Sequence, residues 1–108
     1  EKVEQGRGGR ERIQRASDYI LQHCREEITL EDLADHLYLS RAYISRSFPQ
    51  YFGVSFREYV TQVRLAHAVQ EMHSGATLTE IAYHNGFVNE TAMIRAFRKY
   101  RGSRWNIQ

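Results

Sequence analysis

The sequence predicts an all-α fold made of two helix-turn-helix units joined by one longer helix. Three observations carry that prediction. Apolar residues recur every three or four positions over most of the chain, the period of an α-helix with one buried face. No stretch keeps up the apolar–polar alternation of a strand. The third is an internal repeat. Leu30, Leu33 and Ala34 recur 48 residues on as Leu78, Ile81 and Ala82, and Ser40, Ile44, Arg46, Phe48 and Gly53 recur 49 residues on as Asn89, Met93, Arg95, Phe97 and Gly102. The one-residue slip falls in a turn. Each copy is therefore a short helix, a tight turn and a capped second helix.

The elements follow in order. Residues 1–10, with Gly6, Gly8 and Gly9 among charges, read as a linker or tail. The first unit is expected over 11–54. Its opening helix carries the stripe Ile13, Ala16, Ile20, Cys24. Thr29 suits an N-cap, with Asp32 three residues later, so a short helix is expected from about Leu30 to Leu37. Ser40 caps the next, through Ile44, Phe48 and Phe52, and Gly53 is placed for a left-handed C-cap. Pro49 lies well inside that helix, where it removes a backbone donor, so a kink or break is expected between Ser45 and Pro49. The linker helix is expected over 55–74, with Tyr59, Val63, Ala66, Val69 and Met72 inward and Gly75 ending it. The second unit is expected over 75–108. Thr77 or Thr79 caps a short helix to about Asn85, Gly86 marks a turn, and Asn89 caps a last helix that stops before Gly102. Small Ala34 and Ala82 let the paired helices approach, and Leu39 and Phe87 plug the turns.

Composition narrows the function classes. The 108 residues suit one compact domain, and no apolar run approaches the roughly 18 residues of a membrane span. No signal peptide is visible, and the first residue is Glu rather than Met, which suggests a piece of something longer. Cys24 is the single cysteine, so no internal disulfide can form; a small buried apolar role and a cytoplasmic setting are expected. The five histidines, 23, 36, 67, 73 and 84, show no metal-ligand spacing, so neither a metal, another cofactor nor catalysis is expected. The net charge of +2 hides an asymmetry. Residues 1–36 hold nine acids and six bases, whereas residues 37–108 hold four acids and nine bases, a balance of +5. A one-sided basic balance fits a polyanionic partner.

The repeat indicates where that partner would bind. The second helix of a helix-turn-helix can enter the major groove of double-stranded DNA and present side chains to base edges. With Ile44 and Phe48 inward, the outer face of the first copy carries Arg41, Ala42, Ser45 and Arg46. With Met93 and Phe97 inward, the second carries Asn89, Glu90, Thr91, Ile94, Arg95 and Arg98. Arg reads guanine, Glu accepts from cytosine, Ser and Thr adapt, and Ala touches a thymine methyl. Arg41, Tyr43, Asn89, Lys99 and Arg101 are better placed for phosphates. A long spacer helix would set two reading helices about 34 Å apart, in successive major-groove turns. The competing reading is a helical protein-interaction module without DNA binding, since this geometry also occurs in ordinary bundles.

The chain resembles the DNA-binding domain of the AraC/XylS transcription regulators from about Ile13 to Gly102. The matching text is ITLEDLADHLYLSRAYISRSF, FGVSFREYVTQVRLAHA and LTEIAYHNGFVNETAMIRAFRKYRG. Its specific parts are Phe52 to Tyr59 followed by Arg64 to Ala68, and Ile81 to Phe87. The resemblance implies a homeodomain-like pair of units and base contacts from Ala42, Ser45, Arg46, Glu90, Thr91 and Arg95. It also implies promoter binding, contact with RNA polymerase as an activator, and effector binding and dimerisation on an N-terminal domain. Two departures stand out. The family has a long polar residue in place of Pro49. It also has a proline three residues after the last glycine, opening a closing helix, where this chain reads Ser103, Arg104, Trp105.

Overall fold

The computed structural model describes residues 7–101, which form six helices and, among the described residues, no strand. In chain order they are α1 (Arg7–His23), α2 (Leu30–Leu37), α3 (Arg41–Phe52), α4 (Phe56–Glu71), α5 (Leu78–His84) and α6 (Glu90–Tyr100). The described residues gather into two compact units, 7–23 with 28–59 and 24–27 with 60–101, so α4 begins in the first and ends in the second.

Local chemistry sets the helix ends. Thr29 and Asp32 form a capping box: the Asp32 N–H donates to the Thr29 hydroxyl at 3.0 Å, and the Thr29 N–H donates to the Asp32 carboxylate at 3.1 Å. Thr77 and Glu80 form the equivalent box before α5, at 3.1 and 2.9 Å. Between the two expected caps, the structure therefore chooses Thr77 over Thr79. Ser40 and Asn89 accept from the Tyr43 and Ala92 amides, at 3.0 and 2.8 Å. Gly53 closes α3 in the left-handed region at φ 77.

In the first unit α1 packs on α2 and α3. Ile13, Ala16, Ile20, Leu33, Leu37, Ile44 and Phe48 are buried there. Phe48, Phe52, Phe56 and Tyr59 add an aromatic cluster with centroids 4.6–5.8 Å apart. The Ser17 and Tyr59 hydroxyls hydrogen-bond inside it at 2.7 Å. The second unit buries Leu65, Ala68, Ile81, Ala82, Met93 and Tyr100, with Phe87, Ala96 and Phe97 against them. Cys24 belongs to this unit, is fully buried, and lies 3.2 Å from His67 Nδ1.

Three expectations need correction. The helix begins at Arg7, inside the stretch expected as tail; Gly8 and Gly9 lower its propensity, but Gly9 is buried and packing prevails. The break expected between Ser45 and Pro49 is absent: α3 continues to Phe52, with the Gly53 N–H donating to the Pro49 carbonyl at 3.0 Å. Pro49 supplies no N–H to the Ser45 carbonyl, and both residues are exposed. In α4 the buried apolar residues are Tyr59, Val60, Val63, Leu65 and Ala68, while Val69 and Met72 are 40% and 37% exposed and Met72 follows the helix. The expected glycine turn at 102 and the closing segment from Ser103 lie outside the described residues.

Candidate nucleic-acid interface

Helical register decides what α3 displays. Tyr43, Ile44, Ser47 and Phe48 face the core, and Ser47 returns its hydroxyl to the Tyr43 carbonyl at 2.7 Å. Arg41, Ala42, Ser45 and Arg46 are all exposed, so the expected reading set shares one open face. Tyr43 is the exception. It was expected to meet phosphate, but it is 1% exposed, because positions 43 and 44 both turn inward and 47 and 48 continue that face. Its ring lies under the Arg12 guanidinium, 5.8 Å from the centroid.

α6 repeats the arrangement. Met93 and Tyr100 are buried, Ala92, Ile94, Ala96 and Phe97 are half-buried, and Thr91, Arg95, Arg98, Lys99 and Arg101 are exposed. Glu90 is half-buried and accepts a hydrogen bond from the Thr79 hydroxyl at 2.9 Å. Asn89 spends its side-chain oxygen on the cap, which leaves its amide nitrogen to donate outward. Lys99 stands 5.3 Å from the Tyr100 ring. Arg98 and Arg101 border a groove floored by Met72, Leu78, Met93 and Phe97.

Sequence reasoning missed the partners of the first residue of each second helix. Arg41 pairs with Glu31 at 3.3 Å, as Glu90 pairs with Thr79. Glu31 and Thr79 correspond at the repeat spacing of 48, which was the available signal.

The second unit also has a polar frame. Arg64 donates to the carbonyls of Cys24 at 2.6 Å and Glu26 at 2.8 Å. Glu71 receives Arg25 at 3.2 Å, His84 at 2.8 Å and the Asn85 amide at 3.2 Å. Burial alone would raise the Glu71 pKa, but the hydrogen bonds of His84 and Arg25, the His84 charge and Asn85 hold it below the ordinary carboxylate value. Burial lowers His67 and raises the Cys24 thiol. The Cys24 thiol is therefore a poor nucleophile at neutral pH. Among the described residues no group of three or more His, Cys, Asp or Glu is placed to hold a metal ion. Nor is any helix among them long and apolar enough to cross a membrane.

Two helix-turn-helix units, each with a basic open face on its second helix, define a class of DNA-binding domain. Comparison with known proteins places the chain within it. Residues 33–104 match a family described as helix-turn-helix domain. The regulatory protein PocR of Salmonella typhimurium is 33% identical over 89 residues, covering 82% of this chain. A solved AraC-type regulator of Chromobacterium violaceum has the same fold, with a TM-score of 0.82 at 22% identity over 88% of this chain and 86% of its own. The DNA-binding domain of AdpA, solved with a target DNA, gives a TM-score of 0.76 at 26% identity, over 84% and 83% of the two chains. The chain belongs to the AraC/XylS family of transcription regulators, as its DNA-binding domain. It spans only 29% of the length of PocR, and 14% of helix-turn-helix regulators of Staphylococcus aureus that it matches at 28% identity.

Proposed function

We propose that this domain binds specific sites in double-stranded DNA by inserting α3 and α6 into the major groove, and so regulates transcription at bacterial promoters. In this reading 11–54 and 75–108 are the two DNA-reading units and 55–74 the helix between them. Ala42, Ser45, Arg46, Glu90, Thr91 and Arg95 meet base edges. Arg41, Asn89, Lys99 and Arg101 meet phosphates. The observation that carries it is the matched pair Arg46 and Arg95: equivalent positions, both exposed, each on a helix whose large apolar side chains turn toward a core. That AdpA was solved on DNA supports the same use here. The domain acts as an activator touching RNA polymerase, in the cytoplasm, with effector binding and dimerisation supplied by another domain of a longer protein. That is the arrangement the family resemblance implies.

Selection of sites from randomised DNA tests it. Arg46→Ala and Arg95→Ala should each lose discrimination at separate positions of the selected site, by about 1–3 kcal/mol. Equal weakening on every sequence would make these arginines phosphate contacts instead, and no selection by the intact domain would overturn the reading.

A further inference from the structure

In both units the second residue of the short helix reaches across to the first residue of the reading helix. Thr79 of α5 donates its hydroxyl to Glu90 Oε1 at 2.9 Å. Glu31 of α2 accepts from Arg41 Nη1 at 3.3 Å. The separations are 11 and 10 residues, and they differ by the repeat's one-residue slip. The two ties have opposite polarity: an acid holds a cation in the first unit, and a neutral donor holds an anion in the second.

We propose that Thr79 is a positioning residue for base choice, fixing the Glu90 carboxylate so that its second oxygen is presented to a base edge. This rests on the DNA-reading function proposed above and specifies how α6 reads. A carboxylate at the first position of a helix is drawn to the helix's own unpaired N–H groups and is repelled by phosphates that seek the same end. Untethered, the Glu90 side chain is free to move among several rotamers. The Thr79 hydrogen bond occupies Oε1 and leaves Oε2 as an acceptor, the group that matches the N4 amino donor of cytosine. In the first unit the same place presents a cation, which phosphate attracts whatever its rotamer. There the tie to Glu31 restrains a backbone contact. The units thus share one scaffold and differ in what the tie delivers, a base reader in α6 and a phosphate clamp in α3.

The test is site selection with the intact domain, Thr79→Val, Thr79→Ser and Glu90→Ala, with a thermal melt of each. Thr79 is exposed, and valine keeps its shape and helix propensity, so Thr79→Val and Thr79→Ser should melt with the intact domain. Glu90→Ala and Thr79→Val should relax the same single position of the site, each by about tenfold, while Thr79→Ser restores the preference. A position relaxed by Glu90→Ala but kept by Thr79→Val overturns the positioning role and leaves the DNA-reading function standing. If Glu90→Ala relaxes nothing, Glu90 is not a reader and the proposal falls with it. If Thr79→Val melts early and weakens binding evenly, the bond only holds the helices together, and the proposal falls for that reason.

Discussion

The hydroxyl of Tyr43 has no hydrogen-bond partner among the described residues, although the residue is 1% exposed. A buried hydroxyl without a partner costs roughly 1–3 kcal/mol in lost hydration. Tyr43→Phe should therefore stabilise the domain by about 1 kcal/mol, read as a raised Tm, and leave DNA affinity unchanged. A fall in affinity would restore the phosphate contact that burial argues against. Tyr43 also shows where reading from sequence stops at this scale. A tyrosine one place before the stripe Ile44, Phe48 serves equally as the edge of the core or the edge of the interface. Only the neighbouring elements decide. Arg46 and Arg95 were legible because the repeat fixes the same residue twice, whereas the repeat aligns Glu31 with an unlike Thr79, and their cross-helix ties depend on side-chain geometry.

Helices were legible where their ends are local. Thr29, Ser40, Thr77 and Asn89 each cap through an amide three residues away, so the capping residue and its helix lie side by side in the chain. The stripe of α4 was misread beyond Val63 because one continuous helical period was carried along the whole helix. Tyr59 serves the first unit, whereas Leu65 and Ala68 serve the second, and the buried positions shift register between them. α3 continues through Pro49 where both the proline and Ser45, four residues back, are exposed residues. Pro49→Ala supplies the missing N–H at an exposed position and should raise Tm, a gain of about 1–3 kcal/mol given the cost of proline within a helix. The selected DNA site should not change. A lower Tm on substitution would mean that proline's stiffening of the unfolded chain outweighs the lost bond.

At the scale of the whole molecule, two cores in one short chain invite unequal stability. His67 and Glu71 both belong to the second unit, and both are held below their ordinary pKa values, His67 by burial and then Arg25. A lowered folded pKa means that the unfolded chain binds protons first as pH falls. The His67 contribution is complete above about pH 6.5 and fades below it toward its folded value. The Glu71 contribution begins to fade only below about pH 4.5 and is lost through its own lower folded value. Residue-resolved NMR melts should show the second unit losing Tm as pH falls below about 6.5 while the first changes little. His67→Gln should flatten that limb. Equal losses in both units, or no effect of His67→Gln, would remove these groups as the cause.

Tyr38 and Gly86 are equivalent turn residues, and both take left-handed backbone angles, φ 59 and φ 86. The following amide donates to the corresponding alanine carbonyl in each unit, Leu39 to Ala34 at 3.1 Å and Phe87 to Ala82 at 3.0 Å. Their surroundings differ. Tyr38 is 93% exposed, whereas a Cβ on Gly86 would come within 2.8 Å of Arg64 Nε and 3.0 Å of the Cys24 carbonyl. The two halves of the chain therefore have different evolutionary freedom at the same joint. Position 38 can drift among many residues, each bearing about 1–2 kcal/mol for its left-handed angle. Glycine or asparagine there is at worst neutral. Position 86 is closed, since any side chain disturbs the arginine that ties two carbonyls of the second unit. A saturation library scored for folding should fill position 38 broadly and leave position 86 as glycine alone. If alanine at 86 survives as well as glycine, Arg64 yields more readily than its two hydrogen bonds imply.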